Sequence, residues 1–230
     1  MRLIHDLPTG QAIMKDILRK FVVDAGSTPE WWDSAKQAIS ASDTLLNGVI
    51  EEFEEPRLSS RGDLFATLIK SIVGQQISVI AASAVWSRLF DLVGEVNPES
   101  ILAKTHEELR QVGLSNRKVE YIVGIAEAWI NGFGEIDWDI MSDEEVIEEL
   151  VKLRGVGRWT VQMLLIFALL RQDVFPIDDI GLIRGMEKLY NSGKTLEKPQ
   201  LYDISENWKP YRTLGVWYIW RSIDPEPVEY

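Results

Sequence analysis

The same punctuation recurs along this chain: a side chain able to cap a helix, an apolar stripe, then a glycine. Thr105 with Glu108, and Ser142 with Glu145, have the spacing of capping boxes. Asn97 before Pro98 pairs a cap with a residue suited to the first helical position, as do Ser27/Thr28 before Pro29 in "STPEWWDSAKQAIS". In "DLFATLIKSIVGQQIS", Phe65, Leu68, Ile69, Ile72 and Val73 fall at three-and-four spacing, the apolar face of a helix. The stops are equally regular: Gly94 after "SVIAASAVWSRLFDLV", Gly113 after "THEELRQV", and Asn131-Gly132 after "SNRKVEYIVGIAEAWI". No run alternates strictly, and no Asn-Gly or Asp-Gly turn sits between strand-like segments. The pattern predicts an all-α protein of nine or ten short helices. No repeat, low-complexity segment or long linker interrupts it, so any two subdomains would be helical and share an interface.

Composition narrows the chemistry. The 230 residues include no cysteine, which excludes disulfides, a thiolate zinc site and an iron–sulfur cluster. With only His5 and His106, a histidine-rich metal site or a Ser-His-Asp triad is not expected. "MRLIHDLPTG" lacks the apolar run of a signal peptide, and no stretch approaches ~18 consecutive apolar residues. The expectation is a soluble protein without membrane contact, cytoplasmic and nucleoid-associated in a prokaryote or nuclear in a eukaryote. The net charge of −12 taken alone argues against a nucleic-acid partner. Yet residues 151–221 carry 11 Lys+Arg against 7 Asp+Glu, whereas residues 1–150 carry 13 against 26. An acidic protein with one less acidic half explains this as well as a binding face does.

"LRGVGRWT", from Leu153 to Thr160, is a tight corner. A helix over 142–152 ends in Leu153-Arg154-Gly155-Val156-Gly157, and a new helix starts near Arg158. Gly155 and Gly157 permit a sharp turn and close approach, while Val156 between them is placed to tuck onto the core. The unsatisfied amides of the second helix, at the positive end of its dipole, suit a phosphate. Such a corner needs few basic side chains, which softens the objection from charge. On its own, it is equally an ordinary turn between two helices.

The segment beyond the corner carries a family likeness. "GVGRWTVQMLLIFALLRQDVFPIDDIGLIRG" passes from the hairpin through an apolar helix and a proline-containing loop to paired aspartates. It resembles the helix-hairpin-helix DNA glycosylase superfamily, in particular its alkylation-repair branch of the 3-methyladenine DNA glycosylase II type. "SIVGQQIS" at 71–78, "LRQVGLSNRKVEYIVGIAEA" at 109–128 and "WKPYRTLGVWYIW" at 208–220 resemble three further motifs of that branch. The likeness spans roughly residues 40–222 in family order. It implies a helix-hairpin-helix glycosylase fold in which two helical subdomains flank a cleft. One domain over 1–230 is expected, with a subdomain of about 60–150 inserted between N-terminal helices and the 151–230 hairpin half. The N-terminal β domain of the bacterial prototype is not expected, which makes this the compact form.

The resemblance also implies a site. Asp179, last residue of the Pro-x-Asp-Asp stretch, maps to the catalytic aspartate, whereas Asp178 is expected to be structural. A carboxylate there stabilises the oxocarbenium-like sugar formed as an N-glycosidic bond breaks, or orients water. Alternatively, either aspartate merely caps the next helix. Trp159 occupies the slot where bifunctional relatives carry a Schiff-base lysine, implying a monofunctional enzyme that leaves an abasic site. Trp159 and Trp220 map to the base pocket, where an indole face favours cationic N-alkylated purines such as 3-methyladenine and 7-methylguanine. Met163 replaces a pocket tyrosine of the prototype, leaving base selectivity open.

Gln76 maps to the wedge that fills the gap left by a flipped nucleotide. Gln75 beside it reads as a cap on the following helix. Gly155, Gly157, Arg158 and Thr160 at the corner are expected to meet DNA. Lys118 and Arg212 suit either a phosphate contact or a salt bridge. The family hairpin further implies a structural Na+ or K+ on the backbone carbonyls of Val151, Leu153 and Val156, with no cofactor needed for the chemistry. The expected partner is double-stranded DNA with damaged bases, acted on by a monomer. The rival readings are a non-enzymatic helix-hairpin-helix DNA-binding module, a glycosylase for a different damaged base, and a purely helical scaffold. An endonuclease III-like or adenine-mismatch glycosylase is disfavoured by the missing cysteines and by Trp159.

Overall fold

A computed structural model describes residues 26–224; "MRLIHDLPTG", His5 and residues 225–230 lie outside the described residues. Among those described there is no strand, and twelve α-helices account for nearly all regular structure, more than the nine or ten expected. They are α1 (Trp32–Ser42), α2 (Thr44–Glu52), α3 (Leu64–Gly74), α4 (Val79–Val93), α5 (Pro98–Leu102) and α6 (His106–Gln111). After these come α7 (Asn116–Ile130), α8 (Asp143–Leu150), α9 (Arg158–Phe167), α10 (Ile180–Asn191), α11 (Lys198–Glu206) and α12 (Arg212–Ile223). A 3-10 turn at Phe133–Glu135 comes after α7. None of these helices is long and apolar enough to cross a membrane.

Local signals set most helix starts. The Thr105–Glu108 and Ser142–Glu145 boxes form, and Asn97 caps α5 with Pro98 in its first turn. The cap expected at Ser27/Thr28 does not form: α1 begins at Trp32 with no side-chain cap. Ser27 O instead accepts from Ser60 N at 2.9 Å, and Gly26 N donates to Ser60 O at 2.8 Å, so the residues ahead of Pro29 are held by distant backbone. The helix expected over 142–152 stops at Leu150, and residues 151–155 turn into the corner.

The core gathers on α12, whose residues from Thr213 to Arg221 are all buried, as in a helix enclosed by neighbours on every side. Helices α1, α2, α10 and α11 pack around it. α10 approaches it closely at Gly185, where an added Cβ would lie 2.4 Å from Ile219 Cγ2. This contact matters for position, because Asp179 stands at the head of α10 and Trp220 on α12. A second group forms where α5 and α6 pack on α7. Helix α3 touches α4, α7 and α9, linking that group to the hairpin helix.

Candidate active site

The apolar side of α9 buries Val161, Met163, Leu164, Leu165, Ile166 and Phe167, which fixes how the helix is rotated. Trp159, in its first turn, is thereby left half-buried at the edge of the core. Its Nε1 donates to Asp179 Oδ2 at 2.8 Å. The other oxygen, Oδ1, accepts from Leu182 N at 2.7 Å and from Trp220 Nε1 at 2.9 Å. Asp179 is 5% exposed. All three partners are N–H donors, the kind an ionised carboxylate takes. Asp179 is therefore the N-cap of α10 as well as the meeting point of both tryptophans. Asp178 points elsewhere, into an exposed ion pair with Lys198.

Beside Trp159 opens a cavity of about 420 Å³, within the ~300–1,000 Å³ typical of small-molecule sites. Trp159 and Met163 of α9 form one side. Val79, Ala82, Ser83 and Trp86 of α4 and Lys70, Ser71 and Gly74 of α3 complete it, with Gln75, Gln76 and Ile77 at the loop. Among the described residues the lining holds no carboxyl or imidazole group. Trp220 is not in the lining. It is 4% exposed and stacked on Phe167 at 6.0 Å and 13°, so its ring is enclosed by core and its N–H edge alone reaches the site. Gly181 makes room for this edge, since a Cβ there would lie 3.1 Å from Asp179 Oδ1 and 3.5 Å from Trp220 Cδ1. Trp86 lines the cavity from α4, across from Trp159 on α9. Its position depends on how α4 packs against α3 and α9, and no local pattern signals that.

At the corner, Gly155 adopts φ +91°, and a Cβ would meet the Tyr121 ring at 2.4 Å. Gly157 has φ −105°, has open space around it and is the N-cap of α9, which has no side-chain cap. Among the described residues no side chain caps the first amides of α9. Thr160 does not join them as a side-chain contact, being buried. Arg158 is exposed and makes a two-pronged ion pair with Glu144 at 2.8 and 2.7 Å. The hydrogen bond from Arg158 holds the Glu144 carboxyl below its usual range.

Two cations singled out in the sequence are committed to protein groups. Arg212 takes the salt-bridge role, donating Nε and Nη2 to the Asp173 carboxylate at 2.7 and 2.8 Å. Lys118 forms no salt bridge among the described residues: its Nζ donates to Val73 O and Gln75 O, each at 2.7 Å. Desolvation by burial holds its pKa below the ordinary lysine value. Gln76 is exposed at φ +59°, flanked by exposed Ile77 and Val79. Gln75 is not the cap of α4, which is Ser78; its Nε2 donates to Gly155 O at 3.1 Å. The Leu153 carbonyl accepts from Val156 N at 3.1 Å, and among the described residues no backbone N–H donates to the Val151 or Val156 carbonyls. These oxygens keep acceptor capacity, as carbonyl coordination of a monovalent cation requires.

The chain is similar to proteins with DNA-repair names. It is 34% identical over 179 residues to DNA-3-methyladenine glycosylase 1 of Schizosaccharomyces pombe, covering 76% of this chain and 78% of that one. Its structure is similar to a DNA-3-methyladenine glycosidase from Bacillus halodurans, with TM-score 0.74 and 36% identity over 83% of this chain and 89% of the other. It is also similar to the 3-methyladenine DNA glycosylase of S. pombe in complex with abasic DNA, with TM-score 0.72 and 32% identity over 86% of this chain and all of that one. The model of the HhH-GPD superfamily of base excision DNA repair proteins matches residues 69–210. With its hairpin at 153–160 and Asp179 between two indole N–H groups, the chain belongs to that superfamily.

Proposed function

We propose that this protein is a monofunctional DNA glycosylase that excises alkylated, cationic purines from double-stranded DNA and leaves an abasic site. The observation that carries this is the Asp179 carboxylate, fixed by two tryptophan N–H groups, one of them from Trp159, whose ring also lines a base-sized cavity. In the reaction the bond between sugar C1′ and the base nitrogen breaks and its electron pair leaves with the base. Water then adds to C1′ and gives up a proton. Asp179 stabilises the positive sugar and orients that water. A base that already carries a positive charge leaves as a neutral molecule without being protonated. That suits a lining whose described residues include no carboxylic acid or imidazole to supply the proton. Trp159, and Trp86 across the cavity, offer aromatic faces to such a base.

The uncapped amides of α9 receive a backbone phosphate, and Gln76 enters the stack as the nucleotide leaves it. A Na+ or K+ on the carbonyls of Val151, Leu153 and Val156 would brace the corner. The protein works as a monomer in this reading.

The test is excision from methylated duplex DNA by the parent protein and by Asp179→Asn. Release of methylpurines without strand breaks is expected, reduced roughly a thousandfold in the variant. No release from any alkylated duplex would defeat the proposal. Lys70 supplies an amine to the lining, so borohydride trapping is run in parallel. A trapped adduct, or breaks without alkali, would replace hydrolysis with lyase chemistry.

A further inference from the structure

The loop between α3 and α4 carries the exposed Gln76, yet little of its own structure holds it in place. Its two backbone hydrogen bonds, Gln75 N to Ile72 O at 3.3 Å and Ile77 N to Gly74 O at 3.4 Å, are both long. Gln76 adopts φ +59°, a backbone conformation that L-residues hold only when their surroundings impose it. Packing does not impose it, because the loop is a thin wall between two openings. On one side lies the 420 Å³ cavity, and on the other a shallower one of about 220 Å³ bordered by Gly113, Ser115 and Lys118.

Side-chain tethers do what packing does not. Lys118 spans both ends of the α3 terminus, donating to Val73 O and Gln75 O at 2.7 Å each. An ammonium group suits those carbonyls, which form the negative end of α3. It suits its own helix poorly, because Lys118 lies in the first turn of α7, where a cation opposes the dipole. It is also drawn partly out of water, which lowers its pKa. Neither cost serves α7 itself. The second tether, Gln75 Nε2 to Gly155 O at 3.1 Å, ties the loop to the hairpin. Tyr121, also on α7, lies against Gly155. One rigid helix therefore touches both the loop, through Lys118, and the hairpin, through Tyr121.

We propose that Lys118 and Gln75 are positioning residues that hold the Gln76 loop in register with the hairpin, so that the phosphate grip and the wedge act on the same nucleotide. The proposal rests on the reading of Gln76 as the wedge. It concerns extrusion of the base and leaves bond cleavage to Asp179. The tethers therefore matter only where a paired base has to be displaced.

The experiment compares single-turnover excision of one methylpurine placed in two duplexes, one with its normal partner base and one opposite an abasic site. The variants are Lys118→Met, Gln75→Ala and Gln76→Ala, with Asp179→Asn as the control for chemistry. Lys118→Met is expected to lose about tenfold or more on the paired lesion, from two charge-assisted hydrogen bonds, and no more than about twofold on the unpaired one. Gln75→Ala should show the same selectivity at smaller size, and it keeps the test alive if the lysine variant does not fold. Asp179→Asn should lose both substrates equally. Equal loss on both by Lys118→Met, or none on the paired lesion, overturns the positioning role. If Gln76→Ala shows no loss specific to the paired lesion, the wedge reading falls and takes this proposal with it. If Gln76→Ala shows that loss and neither tether variant does, the proposal alone fails.

Discussion

Two aspartates in this molecule are built almost alike, and the difference between them locates the site. Asp43 caps α2 through Leu46 N at 3.0 Å and accepts from Tyr190 Oη at 2.6 Å and Trp208 Nε1 at 3.0 Å. Asp179 caps α10 and accepts from two tryptophans. Capping α10 is thus compatible with the catalytic role proposed for Asp179. Asp43 lies among core aromatics, whereas Asp179 shares Trp159 with a cavity. Its two indole partners differ as well, which predicts different kinetics. Trp220→Phe removes a donor to Oδ1 but keeps a ring to stack on Phe167, so kcat should fall about 10- to 100-fold with KM near its parent value. Trp159→Phe should do likewise, while Trp159→Ala also removes a cavity wall and should raise KM. Steady-state kinetics on a methylated oligonucleotide separates these outcomes. A rise in KM alone for Trp220→Phe would place that ring in the pocket after all.

At the scale of elements, the features legible in the sequence were those decided within a few residues. The capping boxes at 105–108 and 142–145 depend on contacts three residues apart, and both form. Ser27 fails as a cap because Ser60, far along the chain, claims its carbonyl. Asp179 and Trp159 were legible as a motif, but Trp86, the Lys118 tethers and the burial of Trp220 depend on how α3, α4, α7, α9 and α12 meet. Residue patterns do not encode those distances. The capping glutamates yield a pH prediction. Hydrogen bonds from Thr105 and Ser142 hold Glu108 and Glu145 below their usual pKa. Their charge-dependent contribution is thus present above the unfolded value of 4.5 and is lost as pH falls through the lowered folded values. Glutamine keeps the box without the charge. The melting temperature of Glu108→Gln/Glu145→Gln should accordingly lie below the parent's at neutral pH, and the two should draw together as the solution is acidified below the unfolded value. The two glycines of the corner part company in the same way. Gly155→Ala strains a φ of +91° and drives a methyl into Tyr121, so it should cost more than about 2 kcal/mol in urea denaturation. Gly157→Ala meets nothing and should cost under about 1 kcal/mol. Its new methyl would stand where the proposed phosphate approaches, so DNA affinity is the property expected to fall.

For the whole molecule, the question is how a chain of net charge −12 approaches a polyanion. Its cations near the hairpin are largely neutralised in place: Arg158 by Glu144, Arg154 by Glu120 and Arg212 by Asp173. The start of α9, which has no side-chain cap among the described residues, would offer partial charges from amides in place of a full cation. Binding of that kind displaces few counterions, because the release scales with the number of phosphates neutralised by Lys and Arg. The dependence of log Kd on log salt should therefore be shallow, with a slope well below that of proteins making ~6–10 such contacts. Glu144→Gln tests the account directly. It leaves the fold's apolar contacts alone and releases an exposed arginine beside the hairpin. Removing an acid and freeing a cation should tighten binding to an abasic-site duplex at low salt and steepen the slope by about 1. Titrations at several salt concentrations decide it. An unchanged slope would mean that Arg158 faces away from DNA even when free, leaving the main chain of the corner to hold the phosphate alone.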